Sequence, residues 1–343
     1  MRCFGVAALL ALVTSSVAAH DPITTTVTYA REVRAIVGAR CVTCHAPGGS
    51  APMPLTTYEE TRPWARAIKE QVLTRRMPKW HAARGFGAFA NDPTLTPFEI
   101  ALLVSWIDGG LPRDARSSVA GATAPVPATL SPPPPPLSRP RTPLTGNVLS
   151  ITLPAGVAEL SRPIGRRWVT GWDFQPGNPL ITSATLSLAD GTSLGNWVAG
   201  DRAVMLPPQT GIRISGRLRI ALRRRAPADF EQAYEDRPSV LRLTTAVKPP
   251  AYRAWTLQGE CASLAGTSSA QALAIRPALR AGGAVQIALD RIGAASTLVG
   301  WFRDFDPAYE RTYWLRRPLD FGPDARLTSD GPCTAALILR ARR

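Results

Sequence analysis

Hydrophobic residues recur with two different periods along this chain, and the change of period divides it. Up to about residue 110 they fall three and four apart, the spacing of one helix face. Residues 29–40 place Val33, Ile36 and Val37 on such a face. Thr57-Tyr58-Glu59-Glu60 is a capping box that opens a helix towards Leu73, although Pro63 in its early turns allows a start at Thr61 instead. Thr96-Pro97-Phe98-Glu99 gives an N-cap, a Pro at the first helical position and an acidic third residue. Ile100, Leu103, Val104 and Ile107 then form a stripe that Gly109-Gly110 ends. In the second half the period is two. Across residues 212–225, Arg217, Arg219 and Arg223 point one way and Leu218, Ile220 and Leu222 the other. Residues 185–188 and 335–339 also read as strands, with Gly and Pro punctuating at short intervals.

Between the two patterns, residues 117–143 are mostly Ala, Ser, Thr and Pro, with prolines unbroken from Pro132 to Pro136. Such a run favours extended polyproline II and offers little to a core. The pattern therefore predicts a multidomain chain: an all-α domain followed by an all-β module, divided into two small β-sandwiches near Lys248-Pro249-Pro250. At the N-terminus, Arg2, the apolar run from Phe4 to Val13 and the small residues up to Ala19 have the form of a secretory signal. The expected segments are a signal peptide at 1–19, a helical domain at 20–116, a Pro-rich linker at 117–143 and sandwiches at 144–249 and 250–343. No later stretch is long and apolar enough for a membrane helix. A periplasmic or secreted protein, cleaved near Ala18 or Ala19, is expected.

Charge sharpens the division. The formal net charge is +15. Residues 20–115 hold 11 Lys and Arg against 9 Asp and Glu, whereas residues 116–343 hold 28 against 16. The excess is thus in the β part, with a dense run at Arg217, Arg219, Arg223, Arg224 and Arg225. Such a surface suits contact with an acidic partner protein or another anionic surface. Nucleic acid is not an expected partner in an exported compartment.

The chemistry is concentrated in Cys41-Val42-Thr43-Cys44-His45. CxxCH is the spacing of c-type haem attachment. The two thiols add to the two vinyl groups of one porphyrin, and the adjoining imidazole becomes the proximal iron ligand. One covalent haem c is expected, held by Cys41, Cys44 and His45. For the other side of the iron, Met77 follows His45 by 32 residues, enough for a helix and a return; Met53, eight residues on, is too near. His81 is a further candidate. Trp64, Trp80, Phe86, Phe89 and Trp106 are available to wall the haem. Once the signal is removed, Cys261 and Cys333 are the remaining pair, and an oxidising compartment favours a disulfide between them, two separate buried thiols being the alternative. Gly85-Phe86-Gly87 lacks a nucleotide-site context and reads as a turn; His20 would be a free N-terminal His if cleavage follows Ala19.

Residues 29–113 resemble class I-type c-type cytochrome domains, on CxxCH, Ala51-Pro52-Met53, residues 57–65, Met77-Pro78-Lys79-Trp80 and the closing Trp106-Ile107-Asp108-Gly109-Gly110. That resemblance implies haem c with His45 and Met77 as axial ligands. The β part resembles the paired-sandwich core of ascorbate-dependent type II copper monooxygenases, on residues 197–201 and 206–211, on residues 273–280, and on Asp304-Phe305-Asp306 with Tyr313. It lacks that family's copper ligands: residues 144–343 contain no His, and Met205 is the single Met. Copper monooxygenase activity is therefore not expected. Together these readings imply an exported c-type cytochrome that passes single electrons through Fe(II)/Fe(III) to an unknown redox partner, its β module serving to dock a partner or ligand. The alternative is a haem-fed oxidoreductase with an unrecognised active site in the β module.

Overall fold

A computed structural model describes residues 25–114, 146–229, 231 and 233–343. The expected signal peptide, His20 and the Pro-rich linker lie outside the described residues.

The helices are short and locally encoded. Thr28 caps a π-turn at Tyr29–Val33, accepting from the Arg31 N–H at 3.3 Å, and α1 (Arg34–Arg40) continues it. The Thr57–Glu60 capping box opens α2 (Tyr58–Thr61). Pro63, which has no N–H to give, falls in a tighter turn at Arg62–Trp64 before α3 (Ala65–Leu73). A second capping box, Thr96 with Glu99, opens α4 (Pro97–Asp108). Arg40 pairs with Glu99 at 3.0 Å and Lys69 with Asp108 at 2.5 Å, fastening α1 and α3 to α4. Tyr29, Val33, Val37, Leu103 and Trp106 form the buried centre of this bundle. The Trp106 indole donates to the Pro112 carbonyl at 3.0 Å, so its one polar atom is satisfied inside.

The strands run in chain order as β1 (Asn147–Leu153), β2 (Glu159–Gln175), β3 (Ile181–Leu188), β4 (Ser193–Val198), β5 (Val204–Met205), β6 (Thr210–Arg224), β7 (Ser239–Ala246), β8 (Tyr252–Glu260), β9 (Gln271–Ala278), β10 (Val285–Arg291), β11 (Thr297–Phe302), β12 (Tyr313–Asp320), β13 (Ala325–Ser329) and β14 (Thr334–Arg342). The large sheet is ordered β1-β7-β2-β6-β8-β14-β9-β12, with β3 and β4 joined through β6, and β5 on β2. A separate sheet is ordered β11-β10-β13. All pairings are antiparallel except a short parallel one, Thr210↔Tyr252 to Ile212↔Ala254, which links β6 to β8. Alternation sets the faces: on β6, Ile212, Ile214, Leu218 and Ile220 are buried while Arg213, Arg217 and Arg219 are exposed. One core packs Trp172, Phe174 and Trp197 among β1 to β7. A second packs Ile287, Leu289 and Val299 of the small sheet against Ile275, Leu337 and Leu339 of the large one. Cys261 and Cys333 are bridged, their Cα atoms 5.6 Å apart.

The architecture corrects the expectation of an all-α cytochrome domain followed by an independent all-β module of two small sandwiches. Among the described residues 41% are strand and 16% helix, and no all-α domain is evident there. The physical reason lies in residues 80–91, which were assigned to the helical domain. They form a strap that hydrogen-bonds along the second β region. The Ala83 N–H reaches the Trp301 carbonyl and the Ala90 N–H the Trp314 carbonyl, each at 2.7 Å. The Arg316 N–H returns to the Ala88 carbonyl at 2.9 Å. Ala82 bridges to Phe302 and Phe89 to Leu315. Phe89 and Ala82 are buried in the same core as Ile287 and Leu337.

Candidate functional site

Two groups of candidate residues emerge, and the structure keeps them distinct. The first is the turn that closes α1. Cys41 caps the helix, its N–H on the Val37 carbonyl at 2.9 Å. The N–H groups of Cys44 and His45 both return to the Cys41 carbonyl, at 3.1 and 2.9 Å. Cys41, Cys44 and His45 are thereby held in one compact turn. Gly49 closes it, because a Cβ there would lie 2.0 Å from the Cys44 carbonyl oxygen. The His45 Nδ1 sits 3.0 Å from the Met53 carbonyl, which fixes the ring and leaves Nε2 as its other nitrogen. Met53 thus contributes its backbone. Burial lowers the His45 pKa, with the Met53 carbonyl partly opposing it. Burial, then the neighbouring Cys44, push the Cys41 thiol up to about 12. Neither Cys41 nor Cys44 is in a disulfide.

The β region packs directly on this turn, which nothing in the sequence signals. Gly200 lies so close that a Cβ would meet the Cys44 Sγ at 2.7 Å, and its φ of 91° already favours glycine. Behind it the buried Arg311 pairs with Asp201 and donates to the Ala199 carbonyl at 3.0 Å. The Tyr309 phenol is pushed up first by burial and then by Cys44. Arg225 reaches the Ser50 carbonyl at 3.5 Å.

The second group surrounds a cavity of about 500 Å3 between the end of α3, the strap and the β11–β12 loop. Met77 lines it and is 37% exposed. Val72, Trp80, Leu95 and Ile100 give apolar lining; Arg75, Arg76 and Arg84 give cationic lining. Arg75 has a φ of 55°, a left-handed conformation that is strained for a non-glycine residue. Cys41, Cys44 and His45 do not line this cavity. They approach it through intermediaries. Cys41 packs on the same helical core as Ile100. Tyr309, beside Cys44, lies 5.3 Å under the ammonium of Lys79, another lining residue.

His81 also lines the cavity, but both its ring nitrogens are engaged. Nε2 accepts from the Asp306 N–H at 3.2 Å, and Nδ1 lies 3.3 Å from the Tyr313 hydroxyl. Its role here is to pin the strap. Of the aromatics expected to wall a haem, only Trp80 lines the cavity. Trp106 and Trp64 belong to the helical core, Phe89 to the β core, and Phe86 rests on Trp301 at 4.9 Å.

Burial lowers the His81 pKa to about 4, from an ordinary value of 6.5. Above pH 6.5 neither the folded nor the unfolded chain protonates this ring, and its contribution is complete. As pH falls from 6.5 to 4 the unfolded chain binds a proton that the folded one excludes. Stability from this residue therefore declines by about 3 kcal/mol across that window and is level below it. Urea unfolding of the protein and of His81→Gln at pH 7, 5.5 and 4.5 measures the difference. It should narrow steadily with acidity; a constant gap would refute the assignment.

The five arginines expected to meet an anionic surface are largely occupied within the chain. Arg219 clasps Glu159 at 2.7 and 2.8 Å, Arg224 meets Asp236 at 3.0 Å, and Arg225 holds Glu231 through two contacts of 2.6 Å. Arg217 donates to Ser161 and Arg223 to the Pro307 carbonyl. Arg225 and the Ala228 N–H hold the Glu231 carboxyl down to about 2.

No protein family matches the sequence. No curated protein matches it either. Among solved structures, the major capsid protein P2 of bacteriophage PM2 superposes with a TM-score of 0.29 at 10% identity, covering 57% of this chain and 98% of that one. A223, a turret protein in Sulfolobus turreted icosahedral virus, gives 0.18 at 14% identity over 57% of this chain and 99% of that one. A chain from the atomic structure of the same virus gives 0.16 at 11% identity, over 59% and 96%. Superpositions this loose carry no argument about what the chain does.

The resemblances to class I-type cytochromes and to the copper monooxygenase core are therefore corrected. The all-α unit that the first requires is not evident among the described residues, and no family model matches the sequence. Among the described residues, moreover, no three of His, Cys, Asp and Glu cluster closely enough to hold a metal ion by themselves. The electron-carrier reading, its haem-fed enzyme alternative and the description of the chain as a cytochrome fall with those resemblances.

Proposed function

We propose that this chain is a binding protein for a flat, amphipathic acid, and that the ligand is one haem attached through Cys41 and Cys44. The observation that carries the reading is an anchored imidazole in the same turn as two unbridged cysteines. A cavity that these three residues do not themselves line has the matching character. At about 500 Å3 it lies within the range of cofactor sites, about 300 to 1,000 Å3. Val72, Leu95 and Ile100 suit the apolar face of a ring, while Arg75, Arg76 and Arg84 suit its carboxylates.

A thioether carries no charge and suits the half-buried turn that holds Cys41 and Cys44. His45, fixed through Nδ1, would hold the iron through Nε2. Met77, on the cavity wall, would be the candidate second ligand. A porphyrin brings four nitrogens to its iron, so one or two protein ligands complete the site and no cluster of three is needed. Bound there, haem supplies an iron that can take an axial ligand. An exported location belongs to the same proposal, since the Cys261–Cys333 bridge is at home in an oxidising compartment.

The test is expression in an oxidising compartment together with haem-attachment machinery. The chain should gain the mass of one haem, stable to denaturation and acid extraction. Cys41→Ser/Cys44→Ser should release all haem on extraction. His45→Gln should keep the thioethers and lose the low-spin spectrum. Unmodified thiols at Cys41 and Cys44, under conditions that load a control protein, would sink the proposal.

A further inference from the structure

Away from the cavity, the outer face of the large sheet gathers cations without an ion-pair partner among the described residues. Trp168 on β2 stands directly opposite Arg213 on β6. The parallel join places Arg253 of β8 beside Gly211, and Gly211 and Arg213 share a face because they are two residues apart. Burial agrees: the paired neighbours Ile212 and Ala254 point inward, while Arg213 and Arg253 are exposed. On the far side of β8, Arg253 pairs with Ala341. Arg343, two residues further, folds its guanidinium over the Trp168 ring at 5.2 Å. Three arginines from chain segments far apart in sequence thus share the face of one half-buried indole. Arg213 and Arg253 have no ion-pair partner among the described residues, unlike Arg219, Arg224 and Arg225. Lys248, exposed in the loop between β7 and β8, adds to the same sign of charge.

We propose that this face binds an acidic polysaccharide, with the Arg213 and Arg253 guanidiniums on its carboxylates or sulfates and a sugar ring against Trp168. Charge complementarity points to an anionic partner. Planar guanidiniums match the two oxygens of each acid group. The indole offers a flat apolar surface that a sugar ring can cover. The patch lies on paired strands, a rigid and extended surface that suits a linear chain. Trp168 is half-buried beneath a guanidinium and does not project to enter a lipid layer. This surface is distinct from the haem proposal and does not depend on it.

Heparin and polygalacturonate serve as probes, measured by isothermal titration calorimetry on the full chain at low ionic strength. Both should bind, more weakly as salt rises. Loss of two exposed charge contacts in Arg213→Gln/Arg253→Gln should weaken binding about tenfold. Trp168→Ala should weaken it further, while Arg224→Gln, whose charge is already spent on Asp236, should match the parent. Equal affinity for neutral dextran, or a double variant that binds like the parent, would overturn the proposal. So would binding to phosphatidylglycerol vesicles without binding to either polysaccharide.

Discussion

Replacing both Cys261 and Cys333 with Ala should lower the unfolding free energy by about 4 kcal/mol. The bridge spans 72 positions. Closing a loop of that length removes about 4 kcal/mol of chain entropy from the unfolded state. The folded state takes the link without rearrangement. Cys261 is buried, its N–H already meets the Cys333 carbonyl at 2.9 Å, and the 5.6 Å Cα spacing lies in the ordinary range. The bridge holds the turn after β8 to the head of β14, where Glu260 pairs with Thr334. Using both substitutions avoids leaving a lone buried thiol. Denaturant unfolding should show the loss, and reductant should bring the parent to the level of the variant. A parent indifferent to reductant, or a deficit under about 1 kcal/mol, would refute the account.

What the sequence discloses depends on how local the physics is. The capping boxes at Thr57 and Thr96 were legible because donor and acceptor lie three residues apart. The start of α2 at Tyr58, despite Pro63, follows from that box prevailing over the proline, which a tighter turn accommodates. The faces of β6 were legible because alternation belongs to the strand itself. The neutralised arginines were only half legible. Their density was plain, but Glu159, Asp236 and Glu231 become their partners only when β2, β6 and the loop after β6 come together.

The strap was not legible at all. Trp80, Phe86 and Phe89 are apolar without any period, so their number invited a role around a cofactor. Their partners lie more than 200 residues away, at Phe302, Tyr313 and Trp301. Backbone hydrogen bonds hold the strap to β11 and β12, and these carry no residue signature. Gly200 is similar: one glycine among 27, made necessary by the Cys44 sulfur of a distant turn. The Cys-Val-Thr-Cys-His turn itself was legible as a local constellation. The β surface that covers it was not.

The strap makes the helical and β regions one energetic unit, and Phe89→Ala should expose this. Phe89 is 4% exposed, with its ring 5.2 Å from Tyr313, 6.0 Å from Trp80 and 6.1 Å from Phe302. Gly300 admits it so closely that a Cβ there would stand 3.1 Å from the ring. Removing a phenyl group from such a site loses its transfer energy and leaves a cavity among the packed rings. The expected cost is about 3–5 kcal/mol. Were residues 80–91 merely a loop of a separate helical domain, the damage would remain there. As part of the β core, they should spread it: hydrogen exchange should quicken at Ala83 and Ala90, and equally at Arg303 and Arg316, whose N–H groups return to the strap. The readout is amide exchange on the full chain beside its denaturant midpoint. Exchange changes confined to residues 80–91, or a cost under about 1 kcal/mol, would mean that the strap lies on the β region without being part of it.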